Sequence, residues 1–265
     1  EEMSADPDAQ ARKEVFYAVH WASRFSNLDA PFYSSLTIDR TVEKCVEVLK
    51  DGGKPVVVIL NTMEAVLEEL MTDEEGNLQP FLIDEDGNER LPEFKDIISL
   101  MIDRSLVARR RVGKADSEPY EIDDPELIRR AEEIKELVKT FPYVPLSAFD
   151  EIAQRVEAEG RRLSEAGEID KPWKMGEISG RKIRVDPVKG VHRVEPNDRN
   201  IEIYDFQNGG TDGILLSEAA STGLSLNESP KVKDRRYRAM IEHQTAANPT
   251  TRFQFWGRIR RRGGT

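Results

Sequence analysis

The stretch DGGKPVVVILNTMEAVLEEL, residues 51–70, decides the class of fold. A turn with two glycines precedes the uninterrupted apolar run from Val56 to Leu60, and apolar residues at helical spacing follow it. A short apolar run without alternation is typical of a parallel strand that is covered on both faces. Asn61 or Thr62 is a suitable cap for the helix that comes next. The stretch therefore predicts a strand-to-helix unit of an α/β protein.

Further strands and helices alternate toward the C-terminus. Strand character returns in EISGRKIRV (177–185), and NDRNIEIYDFQNG (197–209) has the capping start and glycine stop of a helix. ILL (214–216) has the character of a buried strand, RYRAMIEHQ (236–244) can supply another, and a last helix is predicted to start near Pro249. Because strands that alternate with helices form parallel sheets, we predict an α/β fold with a parallel sheet flanked by helices.

Two other segments are predicted to be helical. Residues 1–50 are expected to form helices, over 8–28 and 38–50, that pack on the sheet domain. Between residues 72 and 173 there are acidic turns and no strong strand pattern. The helical patterns of this segment lie near 93–111, 124–140 and 146–166. We therefore predict a helical insertion at 72–173, within a sheet domain made of 51–71 and 174–265.

Composition indicates an ordered protein in a reducing compartment. The chain has 265 residues, 38% of them apolar and 34% charged, which suits a protein with a proper core. No apolar run is long enough to cross a membrane. The single Cys45 falls on the apolar side of a predicted helix and cannot form an internal disulfide, which indicates a reducing cytosolic or nuclear compartment, and we expect a cytoplasmic location. His20, His192 and His243 are too dispersed to predict a metal site.

The C-terminal end has the opposite charge to the rest of the chain. The formal net charge is -11, yet residues 231–265 contain ten Lys or Arg against two Asp or Glu. That segment therefore carries +8 and leaves -19 for the remaining residues. Its first basic residues could contact phosphates or could form a solvated run of charge, and they are Lys231, Lys233, Arg235, Arg236 and Arg238.

Two segments carry the candidate chemistry. SEAASTGLSL (217–226) follows the predicted strand ILL, and ligands of parallel sheets gather where strands end. Its small residues would let a polyanion approach the backbone, although a Ser/Ala-rich helix start packed on the sheet is the alternative. In QFWGRIRR (254–261), Arg258 and Arg261 are three residues apart and would share one helical face. Two such guanidinium groups suit a phosphoryl group, and nonspecific nucleic-acid binding is the alternative.

The order of these segments resembles a known motor domain. KPVVVILNT, EISGR, FQNG, ILLSEAASTGLSL and QFWGRIRR are similar to the C-terminal RecA-like domain of superfamily 2 helicases, most closely of the strawberry notch helicase-like family. KPVVVILNT resembles motif IV, SEAASTGLSL motif V and QFWGRIRR motif VI. The resemblance covers about residue 50 to the end. It implies a RecA-like domain of the P-loop NTPase fold, which forms half of an ATP-hydrolysing helicase or translocase.

The resemblance also implies roles for single residues. Arg258 and Arg261 would be arginine fingers that reach ATP on a partner motor domain, with Gln254 beside the γ-phosphate. The residues implied to border the nucleotide are Gly223, Ser225 and Gly257. Those implied to face a nucleic-acid backbone, expected to be DNA, are Ser217, Thr222, Asn61 or Thr62, Ser179 and Gly180. The chain departs from the family, which usually has His at Asn227 and a polar ending at Arg262-Gly263-Gly264, so Arg262 receives no role.

The phosphate-binding half of such a motor is not evident in the sequence. It requires a GxxxxGK[ST] loop and an acidic pair for Mg²⁺. The segment 51–55, DGGKP, has the wrong spacing, and DEDG at 84–87 is expected to be a solvated turn. ATP and Mg²⁺ are therefore expected to bind mainly to an N-terminal RecA-like domain of the same full-length protein, and the isolated chain is expected to be inactive.

Two further expectations concern context. Related domains also occur beside DNA methylase modules in bacteria, so a bacterial, phage or plasmid origin is expected. The alternative to the motor is a noncatalytic module that binds nucleic acid or protein and is built on a degenerate helicase domain. Such a module would not require Gln254, Arg258 and Arg261 at this spacing.

Overall fold

The structure, a computed structural model, describes residues 28–112, 116–217, 226, 232–244, 250, 252, 253 and 257. Its helices are α1 (which includes residues 28–36), α2 (Ile38–Lys50), α3 (Glu64–Met71), α4 (Phe94–Ser105), α5 (Pro125–Lys139), α6 (Ala148–Glu165) and α7 (Arg199–Asn208). Its strands are β1 (Lys54–Ile59), β2 (Leu82–Ile83), β3 (Glu89–Arg90), β4 (Val107–Val112), β5 (Asp116–Glu121), β6 (Met175–Ile178), β7 (Ile183–Asp186), β8 (Gly190–Arg193), β9 (Gly213–Ser217) and β10 (Arg238–Glu242). Residues 250, 252, 253 and 257 are also helical.

Four strands form a parallel sheet in the order β10–β1–β9–β6. The central pair, β1 and β9, is in register with Val57 opposite Leu215. Both strands are buried along their whole length, because helices cover both faces of the sheet. This double coverage is the reason why their sequences are continuously apolar. The predicted α/β fold with a parallel sheet is confirmed.

The two faces of the sheet pack against different helices. On one face, Val57 and Leu215 contact a core to which α2 contributes Cys45 and α6 contributes Phe149. On the other face, the alternate residues of both central strands pack with Phe206 of α7. Burial raises the pKa of the Cys45 thiol to about 12, so this side chain acts as a small apolar core residue, as predicted.

Local capping signals fix several helix ends. The Asp124 carboxylate accepts hydrogen bonds from two backbone amides at the start of α5, and Pro125 occupies its first position. Asp198 caps α7 in the same way, and Gly209 ends α7 with a left-handed φ of 87°. The helices predicted for 38–50, 124–140, 146–166 and 197–209 are therefore confirmed within about two residues.

Other sequence predictions were wrong. The helix predicted to reach residue 111 ends at Ser105, because the chain turns at Leu106 into a hairpin of β4 and β5. The strand character predicted for EISGRKIRV is divided between two strands, since Gly180, with φ of +73°, turns the chain between β6 and β7. The helix predicted for 8–28 lies almost entirely outside the described residues, and so does much of the one near Pro249.

The acidic turn at Asp84 is confirmed, with the Asp84 carboxylate accepting from two backbone amides.

The chain divides into two compact units. The first comprises Glu1–Tyr33 and Glu93–Val144, and the second, the sheet unit, comprises Ser34–Pro92 and Pro145–Thr265. In the first unit, Ile102 of α4 packs with Ala131 and Val138 of α5. The sheet unit includes α6, which was expected to belong to an insertion at 72–173 but packs on the sheet. In the described part of the chain, no helix is long and apolar enough to cross a membrane.

A close backbone contact fixes the β7–β8 hairpin to the rest of the sheet unit. The amide of Val191 donates to the carbonyl oxygen of Pro80 at 2.7 Å. Gly190 has a left-handed φ of +69°, and a Cβ atom there would lie 2.1 Å from the same oxygen. Only glycine satisfies both the conformation and the close approach.

Replacing Gly190 with Ala tests this contact against a matched control. Gly87 has a φ of +84°, and a Cβ atom there would meet nothing within 4 Å, so Gly87→Ala adds only backbone strain. We expect Gly87→Ala to lower the free energy of unfolding by about 1–2 kcal/mol, and Gly190→Ala to lower it by about 1–3 kcal/mol more because of the clash. Urea unfolding measures both values, and equal losses would contradict the contact.

Candidate functional site at the carboxyl edge of the sheet

The parallel strands bring four loops to one edge of the sheet. Residues 60–62 follow β1, Ser217 ends β9, residues 179–180 follow β6, and residues 243–244 follow β10. Parallel α/β sheets bind ligands at this carboxyl edge. Of the residues expected to face nucleic acid, Thr62, Ser179, Gly180 and Ser217 all lie here although they are far apart in sequence.

Gln244 fixes the loop after β1. Its side-chain oxygen accepts hydrogen bonds from the amides of Leu60, at 2.7 Å, and Asn61, at 3.1 Å. The Asn61 side chain in turn accepts from the amide of Met63, which has a left-handed φ of 57°. Thr62, between them, is half-buried. The sequence offered no signal for Gln244, because its partners are more than 180 positions away.

The turn after β6 is fixed by hydrogen bonds within the chain, and its backbone at Gly180 is exposed. The hydroxyl of Ser217 is buried and donates to the carbonyl oxygen of Ser179 at 3.2 Å. The Ser179 hydroxyl donates to Glu177, so both serine hydroxyls make bonds within the chain. Gly180 is exposed, and a Cβ atom at this position would meet nothing within 4 Å. The open backbone of this turn is therefore the part of the edge best placed to approach a polymer.

A buried ion cluster stands directly behind this turn. The side chain of Arg181 is only 2% exposed and binds two carboxylates, with 2.5 Å from Nη2 to Asp150 Oδ1 and 2.6 Å from Nε to Glu177 Oε1. Asp150 also accepts from the hydroxyl of Ser147 and from the amide of Val185. The cluster thus joins the start of α6, the end of β6 and the start of β7.

The charges of this cluster stabilise one another. Burial raises the pKa of Glu177, but the hydrogen bonds and charge of Arg181 lower it by more, so the pKa lies below its ordinary value. Burial lowers the pKa of Arg181, but Glu177 and Asp150 raise it by more, so the pKa lies above its ordinary value and the guanidinium stays charged. EISGR contains both Glu177 and Arg181, but the sequence did not reveal the cluster, because the second carboxylate that binds Arg181, that of Asp150, lies 31 positions away in α6.

The opposite, amino edge of the sheet is filled by a second ion network. Lys54 has no exposed surface, and its Nζ donates to Asp234 at 2.8 Å and to the carbonyl oxygen of Phe206 at 2.5 Å. Burial lowers the pKa of Lys54 to about 8. Arg236 binds Asp234 at 2.7 Å and Asp212 at 3.0 Å.

This network corrects the interpretation of the basic run. Arg236 was expected to contact phosphates or solvent but binds two carboxylates of its own chain. Arg238 is buried, donates to the carbonyl oxygen of Asp234 and lies over the Phe206 ring at 4.9 Å. Lys233 and Arg235 are exposed, and Lys231 lies outside the described residues.

The remaining predicted site residues fall mostly outside the described part of the chain. These residues are Thr222, Gly223, Ser225, Gln254, Arg258 and Arg261. Gly257 is described, is helical and exposed, and has open space where a Cβ atom would be. Nearby, Arg252 pairs with Glu242, the last residue of β10, at 2.9 Å.

The described residues contain neither a lysine free to bind phosphate in the segment 51–55 nor a metal site. Lys54, the lysine of the segment 51–55, is fully buried and bonded within the chain, so it cannot reach a phosphate. Among the residues that the structure covers, no group of three or more His, Cys, Asp or Glu could hold a metal ion.

Comparisons with known proteins give no family assignment. No protein-family model matches the chain, and no match was found among curated proteins or among solved structures. The function must therefore be argued from the residues and their geometry.

His243 joins the carboxyl edge to the N-terminal part of the sheet unit. Its backbone amide donates to Val58 at 3.1 Å. Its ring lies between two hydroxyl groups, with Nε2 at 2.7 Å from Ser34 and Nδ1 at 2.7 Å from Thr41. Burial lowers the pKa of His243 to about 4, so the ring is neutral at physiological pH.

Removing Arg181 should destabilise the chain strongly. Arg181→Met leaves Asp150 and Glu177 as buried carboxylates without their cation, which should cost about 3–5 kcal/mol. The control is Arg155→Met, since Arg155 pairs with Asp39 at the surface and such a pair contributes about 0–1 kcal/mol. Urea unfolding at neutral pH gives both values. A loss no greater for Arg181→Met than for Arg155→Met would show that the cluster is not formed.

His243 should make stability depend on pH below neutrality. Its pKa is about 4 when folded and 6.5 ordinarily, so the unfolded chain binds more protons between these values and stability falls as the pH falls. From about pH 7.5 to about pH 5, the wild type should lose about 2 kcal/mol more than His243→Gln. Urea unfolding of both proteins at a series of pH values between these limits measures the two slopes. Parallel pH curves for the wild type and His243→Gln would refute the assignment.

Proposed function

We propose that the chain is the C-terminal RecA-like motor domain of a superfamily 2 helicase, similar to the strawberry notch helicase-like family. In this role it supplies arginine fingers and part of the nucleic-acid track of an ATP-dependent motor. One observation carries the proposal: Thr62, Ser179, Gly180 and Ser217, which the resemblance assigns to the nucleic-acid track, converge on the carboxyl edge of the sheet. The parallel sheet brings the loops after its strands to this edge, which is where ligands of α/β sheets bind.

The chemistry of this edge suits a sugar–phosphate backbone. At Gly180 the backbone is exposed and carries no side chain, so a phosphate can approach it closely. Thr62 offers a hydroxyl, and the exposed Lys182 adds a positive charge beside the turn. Ser217 acts indirectly, because its hydroxyl holds the Ser179 carbonyl. Contacts of this kind position a nucleic acid without reading its sequence, and we propose DNA as the substrate.

The nucleotide is assigned to an interface with a second domain. ATP supplies the phosphoanhydride bond whose hydrolysis drives such motors, and in the proposal ATP and Mg²⁺ bind mainly to an N-terminal RecA-like domain of the full-length protein. Arg258 and Arg261 present guanidinium groups to the phosphates, with Gln254 beside them. Gly223, Ser225 and Gly257 border the nucleotide. This division agrees with the burial of Lys54, which leaves the described residues without a phosphate-binding lysine in a glycine-rich loop.

The amino edge of the sheet is a poorer candidate for DNA binding than the carboxyl edge, because its charged side chains are paired within the chain. At the amino edge, Lys54 pairs with Asp234, and Arg236 pairs with Asp234 and Asp212. Charges that are already paired internally are poor candidates for binding a polyanion. The proposed DNA track therefore lies at the carboxyl edge, and the proposed motor would work in the cytoplasm, where DNA and ATP are both present in a bacterial cell.

Substitution of the two arginines tests the proposal in the full-length natural protein that contains this chain. Arg258→Ala or Arg261→Ala should lower the kcat of DNA-stimulated ATP hydrolysis by about 10³-fold, as expected for an arginine finger. Arg260→Ala is the matched control, since its spacing from Arg258 and Arg261 would place it off the helical face that the sequence predicts for those two. Single-stranded DNA and RNA serve as separate stimulants in a steady-state phosphate-release assay, and DNA binding should remain.

The outcomes separate the two interpretations of the chain. Wild-type turnover in both Arg258→Ala and Arg261→Ala would exclude the finger assignment. If the wild-type protein binds DNA but shows no stimulated hydrolysis, the noncatalytic interaction module is the correct function. Stimulation by RNA alone would correct the substrate and keep the motor.

A further inference from the structure

Helix α5 leaves part of its apolar side uncovered. Ala131 and Val138 are buried against α4. Beside them on the helix, at spacings of seven and three residues, Leu127, Ile134 and Leu137 are 46%, 48% and 61% exposed. Single apolar residues are common on protein surfaces, but three in one row form a patch that usually contacts another element. These three residues are the apolar flank of α5.

The opposite side of α5 is charged and paired within the helix. Glu126 pairs with Arg129 at 2.9 Å, and Glu136 pairs with Lys139 at 2.8 Å. A helix with one charged and one broad apolar side is typical of a helix whose apolar side faces a core. Within the described residues, the apolar cluster between α4 and α5 has three buried members. A core of this size needs further cover.

The described chain begins near the C-terminal end of α5. Phe32 of α1 packs on Phe94, the first residue of α4, with 5.0 Å between the ring centroids. The amide of Phe94 donates to the carbonyl oxygen of Val144 at 2.9 Å, and Val144 comes shortly after Lys139, where α5 ends. The segment that precedes Leu28 therefore joins the first unit close to this end of α5. Residues 1–33 belong to the same compact unit as α5.

Residues 8–25 have the pattern and the length to cover the apolar flank. Val15, Phe16 and Val19 follow helical spacing, and Lys13 and Arg24 fall on the other side of such a helix. A helix over 8–25 would be about 27 Å long, and α5, with 15 residues, is about 22 Å long. The segment is therefore long enough to run along the whole of α5.

The sequence also allows the chain to reverse its direction before α1. Pro31 lies in α1, and proline fits only the first turn of a helix, because it lacks an amide hydrogen. We therefore expect α1 to start close to Leu28, with Ser26 or Asn27 as its cap. A helix over 8–25 would then be separate from α1 and joined to it by a short turn.

We propose that residues 8–25 form a helix that packs its apolar side on the apolar flank of α5 and completes the core of the first unit. A second copy of the chain is a poorer occupant, because three half-exposed side chains offer far less than the ~800 Å² per partner that a standard interface buries. A segment of the same chain needs less area, since its attachment gives it a high effective concentration. The proposal does not depend on the motor function.

The test follows tryptic cleavage after Arg24 in the 265-residue chain, measured by mass spectrometry. A packed segment is cut slowly, because it must open before trypsin can bind it. Ile134→Gln combined with Leu137→Gln should speed cleavage about tenfold or more, since apolar contacts of the segment are lost. Glutamine favours helices, so α5 should persist, which circular dichroism checks. The control is Glu132→Gln, on the charged side of α5, which should be cut at the wild-type rate.

A second pair of substitutions shows whether the two surfaces contact each other. Val15→Gln combined with Val19→Gln should also speed cleavage about tenfold. If the two surfaces form one contact, all four substitutions together should add little to the effect of either pair, whereas independent effects would multiply. An unchanged rate in the α5 variant, or multiplied effects, would overturn the proposal. Slower cleavage at higher protein concentration would assign the cover to a second copy and would overturn it as well.

Discussion

Parallel pairing of β9 with β1 on one side and β6 on the other is the constraint on which the rest of the structure depends. Parallel strands cannot be joined by tight turns, so each must be followed by a crossover that returns the chain to the same starting edge. Every strand of the sheet therefore ends at the same side. Gln244, Thr62, Ser217 and Gly180 become neighbours for this reason alone, and the candidate site exists because the sheet is parallel.

Buried ion pairs give each edge of this sheet a different character. At the amino edge, Lys54 and Asp234 neutralise each other and leave little charge for a ligand. Behind the carboxyl edge, Arg181 is bonded to Asp150 and Glu177 and so fixes the turn at Ser179 without occupying the surface. Replacing a buried pair by apolar groups can be neutral for stability, so we interpret both networks mainly as devices that fix geometry.

Most of the sheet could be predicted from the sequence, because its signals are local. The apolar run at Val56, the buried strand at Ile214 and the cap at Asp198 each act within a few residues. The β4–β5 hairpin was missed since β4 reads VARRRV and β5 contains Pro119, which gives no alternating apolar pattern. The break at Gly180 was missed because strand-forming residues stand on both sides of it.

The candidate site could be predicted only in outline. That the loops after the strands meet at one edge follows from the fold class, whereas Thr62, Ser179 and Ser217 were named only by the resemblance to a helicase domain. Which hydroxyls make bonds inside the chain was not predictable, since Ser217 bonds to Ser179 across two strands. The same holds for the basic run, where Arg236 is bonded to Asp212 across 24 positions although its side chain stays partly exposed.

The central claim is that the carboxyl edge of the sheet, and not the amino edge, faces DNA. Hydrogen–deuterium exchange of the full-length natural protein, with and without single-stranded DNA, tests it directly. The account predicts that DNA protects the amides of residues 60–63 and 179–182 while those of 52–54 and 234–238 exchange unchanged. Protection confined to the amino-edge peptides would contradict it.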